Sequence, residues 1–132
     1  MNTDEKNLKV VESYFNHLSK GEMEKVGQLI ADDVIWHQPG NHQASGTYKG
    51  KQELFPHLGK MMEITQGTLK LEPKHIMANG DLVSVIIQFS AQREGKSMSM
   101  AGVDLLKIQD SKIKEVWLFS EDQEAEDNFW GR

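Results

Sequence analysis

The second half of the chain alternates between strand-forming segments and turn-forming residues, and this pattern constrains the fold more than any other feature. Four segments show the two-residue hydrophobic alternation of half-buried strands: Thr68–Met77, Leu82–Arg93, Lys96–Gln109 and Lys112–Ser120. The residues between them are of the kinds that close β-hairpins: Asn79-Gly80-Asp81, Glu94-Gly95 and Asp110-Ser111. Because each segment is longer than an average strand, we expect a strongly curved antiparallel sheet.

The first half of the chain is predicted to be mainly helical. Apolar residues at helical spacing indicate a first helix that Thr3 or Asp4 caps and Gly21 ends. A second helix is expected from about Met23. These two helices precede the first predicted strand.

That first strand contains the apolar run Val34-Ile35-Trp36 and stops at a Pro39-Gly40 turn, after which a long polar loop leads to Gly50. A third helix is predicted over Lys51–Glu63, with Pro56 in about its first turn, where proline is tolerated. A short helix over Gln123–Trp130 ends the chain. Helices on one face of an antiparallel sheet make an α+β fold. A sheet curled around the long helix leaves a cone-shaped space, suited to a small molecule.

The composition indicates a single globular domain over residues 1–132, with 38% apolar and 27% charged residues. A net charge of −5 argues against nucleic acid as a partner, because phosphate binding needs clustered Lys and Arg. Cysteine is absent, which excludes disulfides and thiolate sites. No signal peptide is visible, and the apolar runs are too short to span a bilayer. We therefore expect a cytoplasmic protein without membrane association.

Asp104 is the most informative polar residue of the predicted sheet. Strand alternation places it on one face with Met100, Gly102, Leu106 and Ile108, where it is the only carboxylate. If that face is buried, the pKa of Asp104 rises and the neutral acid can donate a hydrogen bond. If that face meets solvent or a partner subunit, Asp104 is an ordinary ionised carboxylate.

Tyr14 lies on the apolar stripe of the first helix. Considered alone, it fits a core tyrosine whose hydroxyl reaches a backbone carbonyl. The functional alternative is a hydroxyl directed into the cone, where it donates a hydrogen bond to a carbonyl or enolate oxygen.

Several polar and aromatic side chains gather where the first strand ends, and this loop is the expected wall of a site: Trp36, His37, Gln38 and His42. His37 suits a general base because its unperturbed pKa lies near neutrality, although a rim histidine bonded to backbone is equally simple. No carboxylate motif accompanies His37 and His42, so a metal site is not predicted. His57 is interpreted as a surface or structural histidine, and Glu121–Asp127 as a solvated acidic face.

Two helices leading into Ala31-Asp32-Asp33-Val34, the loop to Ser45-Gly46, and the later strands containing Val103–Ile108 and Lys112–Trp117 together resemble a known family. The resemblance is to the SnoaL-like polyketide cyclases and ketosteroid isomerases of the nuclear transport factor 2-like superfamily. It covers nearly the whole chain and implies a cone-shaped α+β barrel. It is specific for fold and weak for reaction, because this superfold hosts many functions.

Residue by residue, the resemblance implies that Tyr14 is an oxyanion-hole tyrosine and that Asp104 is its protonated partner. The proton-shuttling aspartate of the isomerases falls at Gln38 or, with a one-residue shift, at His37. Glutamine cannot act as a base, so steroid isomerisation itself is not expected. In the cyclases an aspartate acts as acid and base, and only Asp104 fits that role. Arg93 is a further candidate partner of Asp104, as in epoxide-opening members.

Two functions follow from these residues. The first is a cofactor-independent isomerase or cyclase for a carbonyl compound, with Tyr14, His37 and Asp104 as catalytic residues. The second is a non-catalytic binding module for a small apolar ligand in the same pocket. The ligand-contacting side chains are expected to be Trp36, Gln38, His42, Met100 and Trp117. No metal or cofactor is implied, and the resemblance implies a homodimer formed through the open sheet.

Overall fold

The computed structural model describes residues 1–132 and confirms the predicted α+β fold. Ten elements follow one another: α1 (Thr3–Ser19), α2 (Met23–Gln28), β1 (Ile30–Gln38), β2 (Gly46–Lys49), α3 (Lys51–Ile64), β3 (Lys70–Asn79), β4 (Leu82–Arg93), β5 (Lys96–Gln109), β6 (Lys112–Ser120) and α4 (Gln123–Trp130). The four predicted C-terminal strands and the final helix are all present. The strand β2 is additional, and it lies in the stretch predicted to be loop. Its four residues are mostly exposed and show no hydrophobic alternation that would reveal a strand.

All six strands form one curved sheet in the order β2-β1-β6-β5-β4-β3. The pair β1 and β6 is parallel, and every other pair is antiparallel. Because β2 and β3 are free edges, the sheet is curved but not closed into a barrel. The parallel pair brings the end of β1 beside the middle of β6, where His37 pairs with Trp117.

The first helix begins at Thr3, and its N-cap lies one residue before the predicted caps. Asn2 is the N-cap, and its side-chain oxygen accepts the backbone N–H of Glu5, so the prediction of Thr3 or Asp4 was wrong. Asp4 instead accepts the backbone N–H of Gly80 at 2.8 Å, which ties α1 to the β3–β4 turn. Gly21 follows the helix at φ 71°, a left-handed conformation that glycine adopts without strain.

Pro56 lies in the second turn of α3, one turn later than predicted. Its ring leaves the carbonyl of Gln52 without the usual helical hydrogen bond. Both residues are exposed, so water can bind that carbonyl, and the helix continues to Ile64.

The core lies between the helices and the concave face of the sheet. Alternate residues of β4 and β5 are buried there, where α1 packs on β3 and β4 and α4 packs on β5, while α3 packs on β1 and β2. Phe129 and Trp130 are 3% and 1% exposed, so α4 closes one end of the concave space. None of the helices combines the length and the apolar character that crossing a bilayer requires.

Gly102 tests how closely this core is packed. A Cβ atom at Gly102 would lie 2.7 Å from the carbonyl oxygen of Phe119 and 2.9 Å from the ring of Phe89. We expect Gly102→Ala to lower the free energy of unfolding by about 1–3 kcal/mol, as overpacking does. The matched control Gly59→Ala, on α3 with open space around it, should raise that free energy by about 0.5–1 kcal/mol. Urea denaturation of both variants measures the difference, and equal effects would contradict this packing.

Candidate functional site

Tyr14 and Asp104 bring two polar groups into the core from opposite layers. Tyr14 on α1 is 3% exposed and Asp104 on β5 is 8% exposed, so the buried alternative holds for Asp104. Neither the hydroxyl nor the carboxyl group makes a hydrogen bond within the chain. Buried polar groups are normally hydrogen-bonded, which makes an unbonded pair in the interior unusual.

Burial controls the protonation of both groups. It raises the pKa of Asp104 to about 7, and the negative charge of Glu126 adds to the effect. Burial also raises the pKa of Tyr14 well above its usual value, with a further contribution from the charge of Asp104. That contribution places the two side chains within electrostatic reach of each other. Tyr14 therefore remains a hydrogen-bond donor, while Asp104 divides between its neutral and ionised forms near pH 7.

Glu126 is a buried carboxylate on α4 that the sequence interpretation assigned to a solvated face. It is 4% exposed. Its Oε1 accepts hydrogen bonds from Ser120 Oγ at 2.6 Å and Gln123 Nε2 at 3.1 Å, and its Oε2 accepts one from Trp130 Nε1 at 3.1 Å. The four-residue spacing of Glu126 and Trp130 on a helix was the available signal, because it places both on one face.

The end of β1 resolves which of His37 and Gln38 faces the interior. Trp36 and Gln38 are buried, so alternation directs the intervening His37 to the convex face. There His37 Nε2 lies 2.7 Å from Glu115 Oε2, and its ring stacks on that of Trp117. His37 thus cannot move a proton in the interior, which corrects its predicted catalytic position.

The structure also places the three remaining residues that were expected at the site: Met100, Trp117 and Arg93. Met100 faces the interior at 7% exposure, on the same face as Asp104. Trp117 lies on the convex face with His37, so its expected contact with an interior ligand was wrong. Arg93 donates to the carbonyl oxygens of Phe129 and Trp130 and to the carboxylate of Glu94, and it does not pair with Asp104. The C-terminal helix supplies acceptors that no strand pattern could reveal.

A second cluster of buried polar side chains is centred on Gln38. Its Oε1 lies 3.0 Å from Trp36 Nε1 and 3.0 Å from His57 Nε2. His57 is 4% exposed and its ring stacks on Tyr48 with centroids 3.8 Å apart, so it is a core histidine. His42 is 5% exposed and stacks on Trp130.

Both of these histidines are neutral at pH 7. Burial is the main cause that lowers the pKa of His57 to about 4, and the positive charges of protonated His42 and of Lys60 contribute to this lowering. Burial also lowers the pKa of His42. His42 is buried, whereas His37 lies on the convex face, so the two histidines do not face each other. No three His, Asp or Glu side chains come together as a metal-binding group.

Two surface depressions lie away from Tyr14 and Asp104. One, of about 290 Å³, has a mostly polar lining around Asp32, Asp110 and Lys114. The other, of about 410 Å³, lies over Tyr48 and His57 beside α3.

Comparison with known proteins agrees with this architecture. The family model of the SnoaL-like domain matches residues 11–116. The chain belongs to the SnoaL-like family. This SnoaL-like domain is 48% identical to a Xanthomonas campestris protein of unknown function with a cystatin-like fold, at a TM-score of 0.92, over 96% of this chain and 98% of that one.

Two further relatives extend the comparison. An NTF2-like protein from Burkholderia xenovorans LB400 shares the fold at a TM-score of 0.81 and 20% identity, over 97% of this chain and 98% of that one. The uncharacterized protein Rv0034 of Mycobacterium tuberculosis is 26% identical, over 97% of this chain and 98% of its own. The comparisons thus confirm the SnoaL-like family and the fold that the resemblance implied.

The burial of Asp104 predicts how stability depends on pH. Below about pH 4 the carboxyl group is protonated in the folded and unfolded states alike. Between about pH 4 and 7 only the unfolded chain ionises, so stability falls as pH rises and then levels off. Asp104→Asn removes this cost. The free energy of unfolding of this variant should therefore exceed that of the wild type by more at pH 8 than at pH 5, and the two excesses should differ by about 2 kcal/mol. Urea denaturation at both pH values tests this, and an equal difference at each pH would refute it.

Proposed function

We propose that this SnoaL-like domain is a cofactor-independent isomerase or cyclase that moves a proton on an enolisable carbonyl compound. The observation that carries the proposal is the unbonded, buried pair of the Tyr14 hydroxyl and the Asp104 carboxyl. A substrate carbonyl oxygen would accept the Tyr14 hydrogen bond, its neighbouring carbon would lie against Asp104, and its apolar part would fit the surroundings that Trp36 and Met100 provide.

Tyr14 is the proposed electrophilic group. Its hydroxyl donates a hydrogen bond to the substrate carbonyl oxygen, and the bond strengthens as negative charge develops there in the enolate. Because the pKa of Tyr14 is raised, the hydroxyl keeps its proton throughout. A preorganised donor of this kind in a dry site lowers a barrier by about 3 kcal/mol.

Asp104 is the proposed proton-transfer group, in place of His37. The ionised carboxylate removes a proton from the carbon next to the carbonyl, and the resulting acid returns that proton at another carbon or after ring closure. A pKa of about 7 suits this role, because base and acid forms are both populated near neutral pH. The inward position at the end of β1 is occupied by Gln38, which cannot act as a base.

The alternative is a binding module without chemistry. Gln38 favours it, because its side-chain oxygen is already occupied by the Trp36 and His57 donors and has no basic function. The same interior would then bind a small apolar or carbonyl-containing molecule.

We also propose that the domain forms a homodimer through the convex face of the sheet. An apolar patch crosses that face where β4, β5 and β6 pair: Ile86, Val103, Leu105, Trp117 and Phe119. Phe119 is 56% exposed, and apolar side chains grouped in this way mark interaction surfaces. The cytoplasmic location predicted from the sequence stays a prediction.

Hydrogen exchange tests the chemistry. In D₂O, the protein should accelerate exchange of the α-protons of 1-tetralone, followed by proton NMR. Asp104→Asn should abolish the acceleration, and Tyr14→Phe should reduce it by about 10²–10³-fold. The matched control Asp81→Asn, the same change at an exposed turn, should leave it unaltered. Binding without any acceleration would favour the binding module, and acceleration that survives Asp104→Asn would refute the role of that carboxylate.

Light scattering coupled to size-exclusion chromatography tests the dimer. The wild type should elute with twice the mass of the 15.0 kDa chain. Phe119→Lys should shift it to monomer, because a charge placed in the patch cannot be buried without a partner. The control Met62→Lys, at a side chain 46% exposed on α3 and therefore away from the convex face, should stay dimeric. A monomeric wild type would refute the proposal.

A further inference from the structure

The Tyr14 and Asp104 residues are almost completely buried, at 3% and 8% exposure. Too little of either side chain is exposed for an organic molecule to contact both, so a substrate must enter while an element that covers them is displaced. Enzymes commonly admit substrate through a segment that opens as a unit, and such segments come from the less stable parts of a fold. The position and the attachments of α4 fit this description.

The helix α4 lies over the concave face of the sheet beside Asp104. The register of β5 and β6 pairs Gly102 with Ser120, and Gly102 lies two residues from Asp104 on the same buried face. Ser120 Oγ donates to Glu126 Oε1 at 2.6 Å, which holds α4 on that face. The charge of Glu126 accordingly contributes to the raised pKa of Asp104. The helix therefore covers the part of β5 that carries Asp104.

Two residues, Glu121 and Asp122, join α4 to β6. The backbone N–H of Glu121 donates to the carbonyl of Ala101 at 2.9 Å, and the backbone N–H of Ala101 donates to Glu121 Oε1 at 3.0 Å. The sheet thus fixes the chain as far as Glu121. Asp122 is the N-cap of α4, and its side chain accepts the backbone N–H of Ala125 inside the helix. A rotation at the backbone of Asp122 would move α4 as a unit.

The other end of α4 is held by a strand end and a loop. Arg93, at the end of β4, donates to the carbonyl oxygens of Phe129 and Trp130. Gln43 donates its side-chain N–H to the carbonyl of Trp130 at 2.7 Å, and its backbone N–H to the carbonyl of Gly131 at 2.7 Å. The last carbonyls of a helix have no partners within it, and a nearby cation stabilises them. These hydrogen bonds can break without disrupting any strand pairing.

The buried side chains of α4 combine apolar and charged groups. They are Glu126, Phe129 and Trp130. Opening would expose two aromatic side chains, which is unfavourable, but it would also return a buried carboxylate to water, which offsets part of that cost. The helix α1 buries the apolar side chains of Val11 and Phe15 without a buried charge. Opening is therefore easier for α4 than for α1.

We propose that α4 is a lid over the site of Tyr14 and Asp104, with its hinge at Asp122 and its latch at Arg93. The closed lid excludes water from the interior. Opening breaks the hydrogen bonds that Arg93 and Gln43 make to the end of α4, and it admits or releases a ligand. The passage of a substrate rests on the proposed function, whereas the opening of α4 can be measured without any ligand.

Carbodiimide labelling of carboxyl groups tests the lid. The reagent is far larger than water and reaches Asp104 only when that side chain is uncovered, and peptide mass spectrometry gives the labelling rate. Arg93→Met should raise the rate at Asp104 about tenfold or more, because it removes two hydrogen bonds made by a charged donor. The control Lys74→Met, which removes an exposed cation from β3, should leave that rate unchanged.

Amide hydrogen exchange of the wild type, followed by NMR, gives a second measurement that does not depend on a variant folding. The amides of Glu126 and Gly131, which bond to carbonyls within α4 and its N-cap, should exchange at least about tenfold faster than the amides of β5. Labelling of Asp104 should likewise be faster than the global unfolding that the β5 amides report.

Three outcomes would overturn the lid. They are wild-type α4 amides that exchange no faster than those of β5, wild-type Asp104 labelling no faster than global unfolding, and an Arg93→Met variant with unchanged labelling of Asp104. Enhanced labelling in Arg93→Met without any α-proton exchange of 1-tetralone would support the lid and count only against the isomerase or cyclase function.

Discussion

The two-residue alternation of side chains along the strands decides which polar groups enter the core of this protein. On β5 it directs Asp104 inward with Met100, and on β1 it directs Gln38 inward with Trp36. The same rule sends His37 to the convex face. A shift of one residue in the pairing of β1 would exchange His37 and Gln38 and with them the acid and base groups of the interior. The register of the sheet therefore determines what chemistry this fold permits.

Burial then sets the charge of each inward group. Desolvation disfavours ionised forms, so it raises the pKa of Asp104 towards neutrality and lowers the pKa values of His42 and His57. Glu126 lies in the same interior, but three hydrogen-bond donors surround its carboxylate. The contrast between the bonded Glu126 and the unbonded Asp104 is the reason that Asp104, and not Glu126, is the proposed ligand-contacting carboxyl group. Tyr14, on the facing helix, is the proposed donor that acts with it.

The interior holds two polar clusters of different character. Tyr14 and Asp104 form one, with a hydroxyl donor and a carboxyl group whose pKa burial raises to about 7. Trp36, Gln38 and His57 form the other, in which the Gln38 side-chain oxygen accepts from both neighbours. The polar groups of the first cluster make no hydrogen bond within the chain, and the proposed function rests on that cluster.

The sequence by itself determined the α+β fold, the order of the helices and the four long strands, because hydrophobic periodicity and turn residues are local signals. It also indicated that Asp104 and Met100 share a face, since parity along one strand needs no knowledge of its neighbours. Only the tertiary structure decided that Gln38, not His37, faces the interior, because that depends on how β1 pairs with β6 and β2. The burial of His57 and Glu126 also required it, since α3 and α4 turn those polar residues inward through packing with distant parts of the chain.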